Sequence, residues 1–205
     1  METVKVPLVE YGMAKATLSG QTESGDLHLI RCTQDGVLIA AVDGLGHGTQ
    51  AASVAETALS VLRERIHEPV ISLVERCHRK LLRTRGVVMS LAFIHQNQGM
   101  MTWLGVGNVQ GVLVRATGAK SPAQETLLLR GGVVGAQLPP LQATVLPIGR
   151  GDTVYFATDG IRSEFAESLT AMENPQRAAE RILDQFHNET DEGLIVVARF
   201  TGIRS

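Results

Sequence analysis

Cysteine is scarce in these 205 residues: only Cys32 and Cys77 occur, with no CxxC spacing and no nearby histidine ligand pattern. That excludes a disulfide framework, gives no structural zinc site, and fits a reducing cytoplasm. An excess of charge of either sign is also missing, since 19 Lys and Arg against 21 Asp and Glu leave a formal net charge of -2. The basic residues are scattered, so there is no electrostatic footprint for nucleic acid or for an anionic membrane. No run of about 18 apolar residues exists to span a bilayer. The N-terminal "METVKVPLVEYGMAKATLSG" lacks the basic start and continuous apolar stretch of a secretory signal. Solenoid-type repeats and low-complexity tracts are absent as well. The expectation is a cytoplasmic protein with no nucleic-acid and no membrane partner.

What is present is apolar content, 44% of the chain, enough for one domain spanning 1–205 with a sizeable core. Residues 27–33 and 37–42 read as strands rich in branched side chains, joined by a hairpin turn at 34–36 where Asp35-Gly36 is turn chemistry only. Ala51, Ala55, Ala58, Leu62 and Ile66 follow helical spacing from about Thr49. A second helix starts at Pro69, carries Val70, Leu73, Val74, Cys77 and Leu81, and stops before Gly86. Segments 86–96, 100–107 and 109–116 read as a three-stranded antiparallel meander, in which Trp103 and Met100-Met101 are sheet packing. Residues 117–140 have loop composition with one short strand at "TLLLR". A strand at 152–158, helices around 163–172 and from Pro175 to His187, and a strand at 193–200 complete the chain. Strands outnumber helices and mostly follow one another. The predicted class is α+β: an antiparallel sheet core with helices layered outside.

The chemistry concentrates in carboxylates at strand ends. Asp26 precedes the first hairpin strand and Asp43 follows the second, so the turn makes them near cross-strand neighbours. At roughly 5 Å, two like charges cost about 3 kcal/mol at an effective dielectric of about 20, and a cation is expected between them. Asp159 follows one late strand and Asp191 precedes the last. If those strands pair antiparallel, both acids also reach one end, and four carboxylates with oxygen ligands alone suit Mg²⁺ or Mn²⁺. In "DGLGHG" (43–48), Gly44 leaves room for a backbone carbonyl to reach an ion, while Gly46 and Gly48 allow a sharp turn into a helix whose N-terminus favours phosphate. A dinucleotide fingerprint fails here, because the third glycine of GxGxxG would fall on Thr49. His47 is the candidate for substrate contact in this loop; capping the helix or facing water is the plainer reading. Asp152, in "GRGD", reads as a turn residue. His28, His67, His78, His95 and His187 read as surface histidines. "RERIHE" and "RCHRKLLRTR" read as solvated helix faces, the second also a possible docking surface for an acidic partner.

The ordered set "ESGDLHLI", "AAVDGLGHG", "RGVVMSLAFI", "WLGVGNVQGVLV", "GDTVYFATDGI" and "TDEGLIVVARF" resembles the metal-dependent Ser/Thr protein phosphatases of the PPM type, in the bacterial branch of sporulation and stressosome phosphatases. The resemblance runs from about Gly20 to Phe200. It implies a β-sandwich flanked by helices in α-β-β-α layers, with two divalent cations, Mn²⁺ or Mg²⁺, at one end. By motif, Asp26, Asp43, Asp159 and Asp191 would bind the metals together with the carbonyl of Gly44, and Asp26, Asp43 and Asp159 would serve catalysis. The implied activity is hydrolysis of phosphoserine or phosphothreonine by a metal-activated water. The implied substrates are phosphorylated STAS-domain proteins of the stressosome, and the implied role is negative feedback on stress signalling. Two departures stand out. The tail reads "DEGL" where the family carries a threonine at the fourth position, leaving Asp191, Glu192 and Glu189 as alternatives for the last ligand. The phosphate-gripping arginine near the N-terminus of eukaryotic relatives has no evident counterpart. A partner-binding pseudo-phosphatase and a small-molecule phosphatase are the competing readings.

Overall fold

The computed structural model describes residues 8–116 and 123–202; part of the segment read as a loop, 117–122, therefore lies outside the described residues. The strand that explains the architecture best is β3 (Gly36–Gly44), in which eight of nine residues are buried. Its Val37, Ile39 and Ala41 face one apolar cluster while Leu38, Ala40 and Val42 face another. A strand covered on both faces has no reason to alternate apolar with polar, which is why "VLIAAV" is continuous.

β3 pairs antiparallel with β2 (Asp26–Cys32) on one side and β4 (Val87–His95) on the other. β5 (Met100–Val106) continues this sheet, and β8 (Leu129–Arg130) and β9 (Thr144–Pro147) both pair with it, β8 in parallel. The second sheet has the order β1 (Val9–Ala16), β11 (Gly193–Phe200), β10 (Thr153–Ala157), β6 (Gln110–Val114), β7 (Gln124–Thr126). Between the sheets lies a core that includes Ile39, Trp103, Phe156 and Val196. Helices α1 (Gly48–Glu64) and α2 (Val70–Leu81) cover the outer face of the first sheet through Ala55, Leu62, Leu73 and Leu81. Helix α3 (Pro175–Phe186) and a 3-10 helix (Ser163–Ser168) cover the second through Ala178, Ile182 and Phe165. The result is the expected α+β sandwich in four layers.

Several expectations need correction. The meander breaks after its second strand: β6 crosses to the other sheet and pairs β10 and β7, not β5. Ser90, fully buried, donates to the carbonyl of Val109 at 2.6 Å inside the crossing. The strand expected at "TLLLR" splits into β7 in one sheet and β8 in the other around buried Leu127. Helix at 163–172 shortens to a single 3-10 segment ending at Ser168. Two further strands carry no turn signal in the sequence: β1 at the edge of the second sheet, and β9 against β5.

Candidate metal-binding active site

Asp26 and Asp43 are direct cross-strand partners in the β2–β3 register. Both fall on the parity of the inward-facing residues of β3, so they enter the cleft between the sheets at its open end. From the opposite sheet, antiparallel pairing of Ala157 with Ile195 brings the segments bearing Asp159 and Asp191–Glu192 to that same end. A cross-sheet hydrogen bond fixes the approach: Thr158 Oγ1 donates to Asp26 Oδ2 at 2.7 Å and accepts from the backbone N–H of Leu194 at 2.8 Å. Asn108 Nδ2, in the crossing between β5 and β6, donates to Asp159 Oδ2 at 2.7 Å.

The electrostatics follow from this convergence. Burial, then the charge of Asp43, push the Asp26 carboxyl up to about 8, and the Thr158 hydrogen bond offsets only part of that. Burial, then the charges of Asp159, Asp191 and Glu192, push Asp43 up to about 7. Asp26 is buried, Asp43 half-buried, and Asp159 and Asp191 are exposed at the rim. Among the described residues none of the four has a Lys, Arg or His within ion-pair distance. Carboxylates held together without a cationic side chain fit a divalent cation, and an all-oxygen donor set fits a hard one. Among the described residues no three His, Cys, Asp or Glu side chains are gathered tightly enough to hold an ion alone. That is compatible with Mg²⁺ or Mn²⁺, which keep several waters and need few carboxylates.

The glycine loop gains a second reason at Gly44 and keeps the expected one at Gly46 and Gly48. A Cβ on Gly44 would fall 2.2 Å from the carbonyl oxygen of Ala51, so glycine is required there by the close passage of α1. Gly46 and Gly48 adopt φ of +99° and +67°, as the sharp entry into the helix requires. The expected free helix N-terminus is partly occupied: the Gly48 N–H points to Glu192 Oε1 at 3.5 Å. His47 is the N-cap residue but makes no side-chain cap. It is exposed, and its ring has no partner among the described residues.

Glu192, an alternative to Asp191 for the last ligand, is 5% exposed. Its Oε2 accepts from Gly25 N at 2.7 Å and from Ser24 Oγ at 3.1 Å. It ties the last strand to the start of β2 and to α1. Asp191 stays at the rim, its Oδ1 accepting from the Glu192 N–H at 2.9 Å. Leu194, where the resembled tail has threonine, is fully buried in the inter-sheet core. Asp152 is no plain turn residue: buried, it accepts from Arg115 Nη1 at 3.0 Å and from the N–H groups of Ala116 and Gly149 at 2.9 Å each.

The family model described as Stage II sporulation protein E (SpoIIE) matches residues 33–198, and the chain belongs to that family. Asp26 lies outside the matched span and is tied to it by the register with Asp43. Among individual proteins, the phosphoserine phosphatase RsbX of Bacillus subtilis (strain 168) is 28% identical over 99 residues, so the match spans 48% of this chain and about half the length of that relative (50%). A solved chain described with the bacterial stressosome as a modular system controlling secondary messenger signalling is 25% identical, with a TM-score of 0.84, covering 93% of this chain and 99% of that one. A structure of RsbX in complex with magnesium shares the fold at a TM-score of 0.83 and 19% identity, covering 94% and 96%.

Proposed function

We propose that this protein is a metal-dependent protein-serine/threonine phosphatase of the RsbX type. The reading rests above all on Asp26 and Asp43, paired in register, braced from the other sheet by Thr158, and, among the described residues, neutralised by no side chain. Asp26, Asp43, Asp159 and Asp191 with the Gly44 carbonyl would hold the divalent cations, Mg²⁺ or Mn²⁺. Bound there, such ions supply an activated water at neutral pH and offset charge on the transferring phosphoryl group.

The chain's own residues prepare that chemistry. Thr158 fixes the orientation of Asp26, and Asn108 that of Asp159. The buried setting of Asp26 and Asp43 favours their protonated forms until a cation compensates, so ionisation and ion capture are coupled. The rim position of Asp159 and Asp191 leaves the site open to a phosphorylated side chain on another protein. The substrates proposed are phosphorylated STAS-domain proteins of a stressosome, acted on in the cytoplasm, with the outcome of resetting the stress signal.

The decisive experiment is hydrolysis of a phosphoserine peptide and of a phosphorylated STAS-domain protein, with and without Mn²⁺ or Mg²⁺. Ion-dependent phosphate release supports the reading. Absence of release at every ion concentration, from a folded protein, rejects it in favour of a partner-binding module.

A further inference from the structure

A phosphatase site built from carboxylates repels the dianion it must bind, and no basic residue was expected near it. The structure places one over the glycine loop that follows Asp43. The β3–β4 register sets Gly44 opposite Val87, and the Leu45 N–H donates to the Gly86 carbonyl at 3.1 Å. Arg85 therefore leaves the chain beside the exit of the strand that ends in Asp43. Its guanidinium folds over the glycine loop: Nη1 donates to the Leu45 carbonyl at 3.2 Å and Nη2 to Gln50 Oε1 at 2.7 Å. The fit is close, because a Cβ on Gly46 would lie 2.1 Å from Nη1.

Both partners of Arg85 are neutral. Arg63, Arg76, Arg115, Arg181 and Arg199 each contact a carboxylate, while Arg130 donates to Gln142 and Arg162 to the carbonyls of Gln185 and His187, away from the glycine loop. Arg85 has none within ion-pair distance among the described residues, although it contacts the loop that follows Asp43. It is exposed, and a guanidinium carries five N–H donors, more than these two contacts use. An arginine held in place by neutral groups keeps its whole charge for an incoming anion, and its planar fork matches phosphoryl oxygens in pairs.

We propose that Arg85 grips the phosphoryl oxygens of the substrate, an assignment that rests on the phosphatase reading and supplies that reading with its missing cationic side chain. Arg85 thus does from the α2–β4 connection what no N-terminal arginine does in this chain.

The test compares wild type with Arg85→Ala and Arg85→Lys in the ion-loaded protein, using a phosphoserine peptide for kinetics and inorganic phosphate for calorimetric titration. Thermal melts and a Mn²⁺ titration check fold and ion site. The expected result for Arg85→Ala is a KM for the peptide and a Kd for phosphate raised roughly tenfold or more, with a smaller change in kcat and unchanged Mn²⁺ affinity. Lysine should restore only part, since it lacks the fork. Equal phosphate affinity in wild type and Arg85→Ala overturns the assignment, as does weakened Mn²⁺ binding that accounts for the whole effect. A wild type that binds phosphate through Arg85 yet hydrolyses no peptide would count against the phosphatase reading and for Arg85 as the anion contact.

Discussion

Asp26 and Asp152 are both 2% exposed, and their surroundings could hardly differ more. Asp152 meets the Arg115 guanidinium, itself also bonded to Glu125, and two backbone N–H groups, so its charge is fully answered by the chain. Asp26 receives the Thr158 hydroxyl and the field of Asp43, Glu192 and Asp159. Burial of a carboxylate is therefore not by itself a mark of function. The mark is a buried acid whose compensation must come from outside the polypeptide.

Breaking each side of this contrast should give opposite outcomes. Asp43→Asn should lower phosphopeptide hydrolysis roughly a thousandfold, since it removes a cation ligand from the reacting centre. Its ion-free melting temperature should hold or rise, because a repulsion disappears; a steady-state assay and a thermal melt check both. Asp152→Ala should instead cost stability, about 3 kcal/mol in a urea titration, by leaving Arg115 with a buried, half-answered charge, while the folded fraction keeps its ion affinity. Thr158→Val removes the brace on Asp26 without touching the carboxylate, and Mn²⁺ affinity by calorimetry should fall roughly tenfold. A further effect concerns pH. Asp26 and Asp43 sit well above the ordinary carboxyl value in the ion-free fold, so the folded state binds more protons than the unfolded chain. Stability is then greatest at low pH within this window and is lost as pH rises from about 4 toward the folded values of about 7 and about 8. Melts of the chelated protein should decline steadily from pH 5 to pH 8.5, and saturating Mg²⁺ should abolish the decline.

Glu192 and Arg85 sharpen the comparison. One is buried and bonded to backbone, the other exposed over the glycine loop, and although both fall in quoted motif blocks, "TDEGLIVVARF" and "RGVVMSLAFI", the motifs do not say what they hold. A charged residue beside Asp191 reads as tail acidity, and an arginine before a strand reads as a solvated helix end. Only their partners, Gly25 in one case and Leu45 in the other, reveal what they hold. Gly44 teaches the same lesson from the opposite side: its place in the motif was legible, while the reason for it, the passage of α1 at Ala51, was not.

Local pattern was enough to fix the β2–β3 hairpin, the faces of α1 and α2, and the cross-strand meeting of Asp26 with Asp43, because turn chemistry and a period of two or 3.6 act over neighbouring residues. Strand-to-sheet assignment was beyond it. β5 and β6 are separated by a short turn like any hairpin, and only the filling of the inter-sheet core around Trp103 and Phe156 sends β6 across. That same crossing carries Asn108 to Asp159, and the partnership of β10 with β11 carries Asp159 and Asp191 to the end where Asp26 and Asp43 wait. The sequence by itself determined which acids stand at strand ends; the tertiary structure alone decided that these ends coincide, because convergence of distant carboxylates depends on long-range burial of apolar faces and not on local conformation.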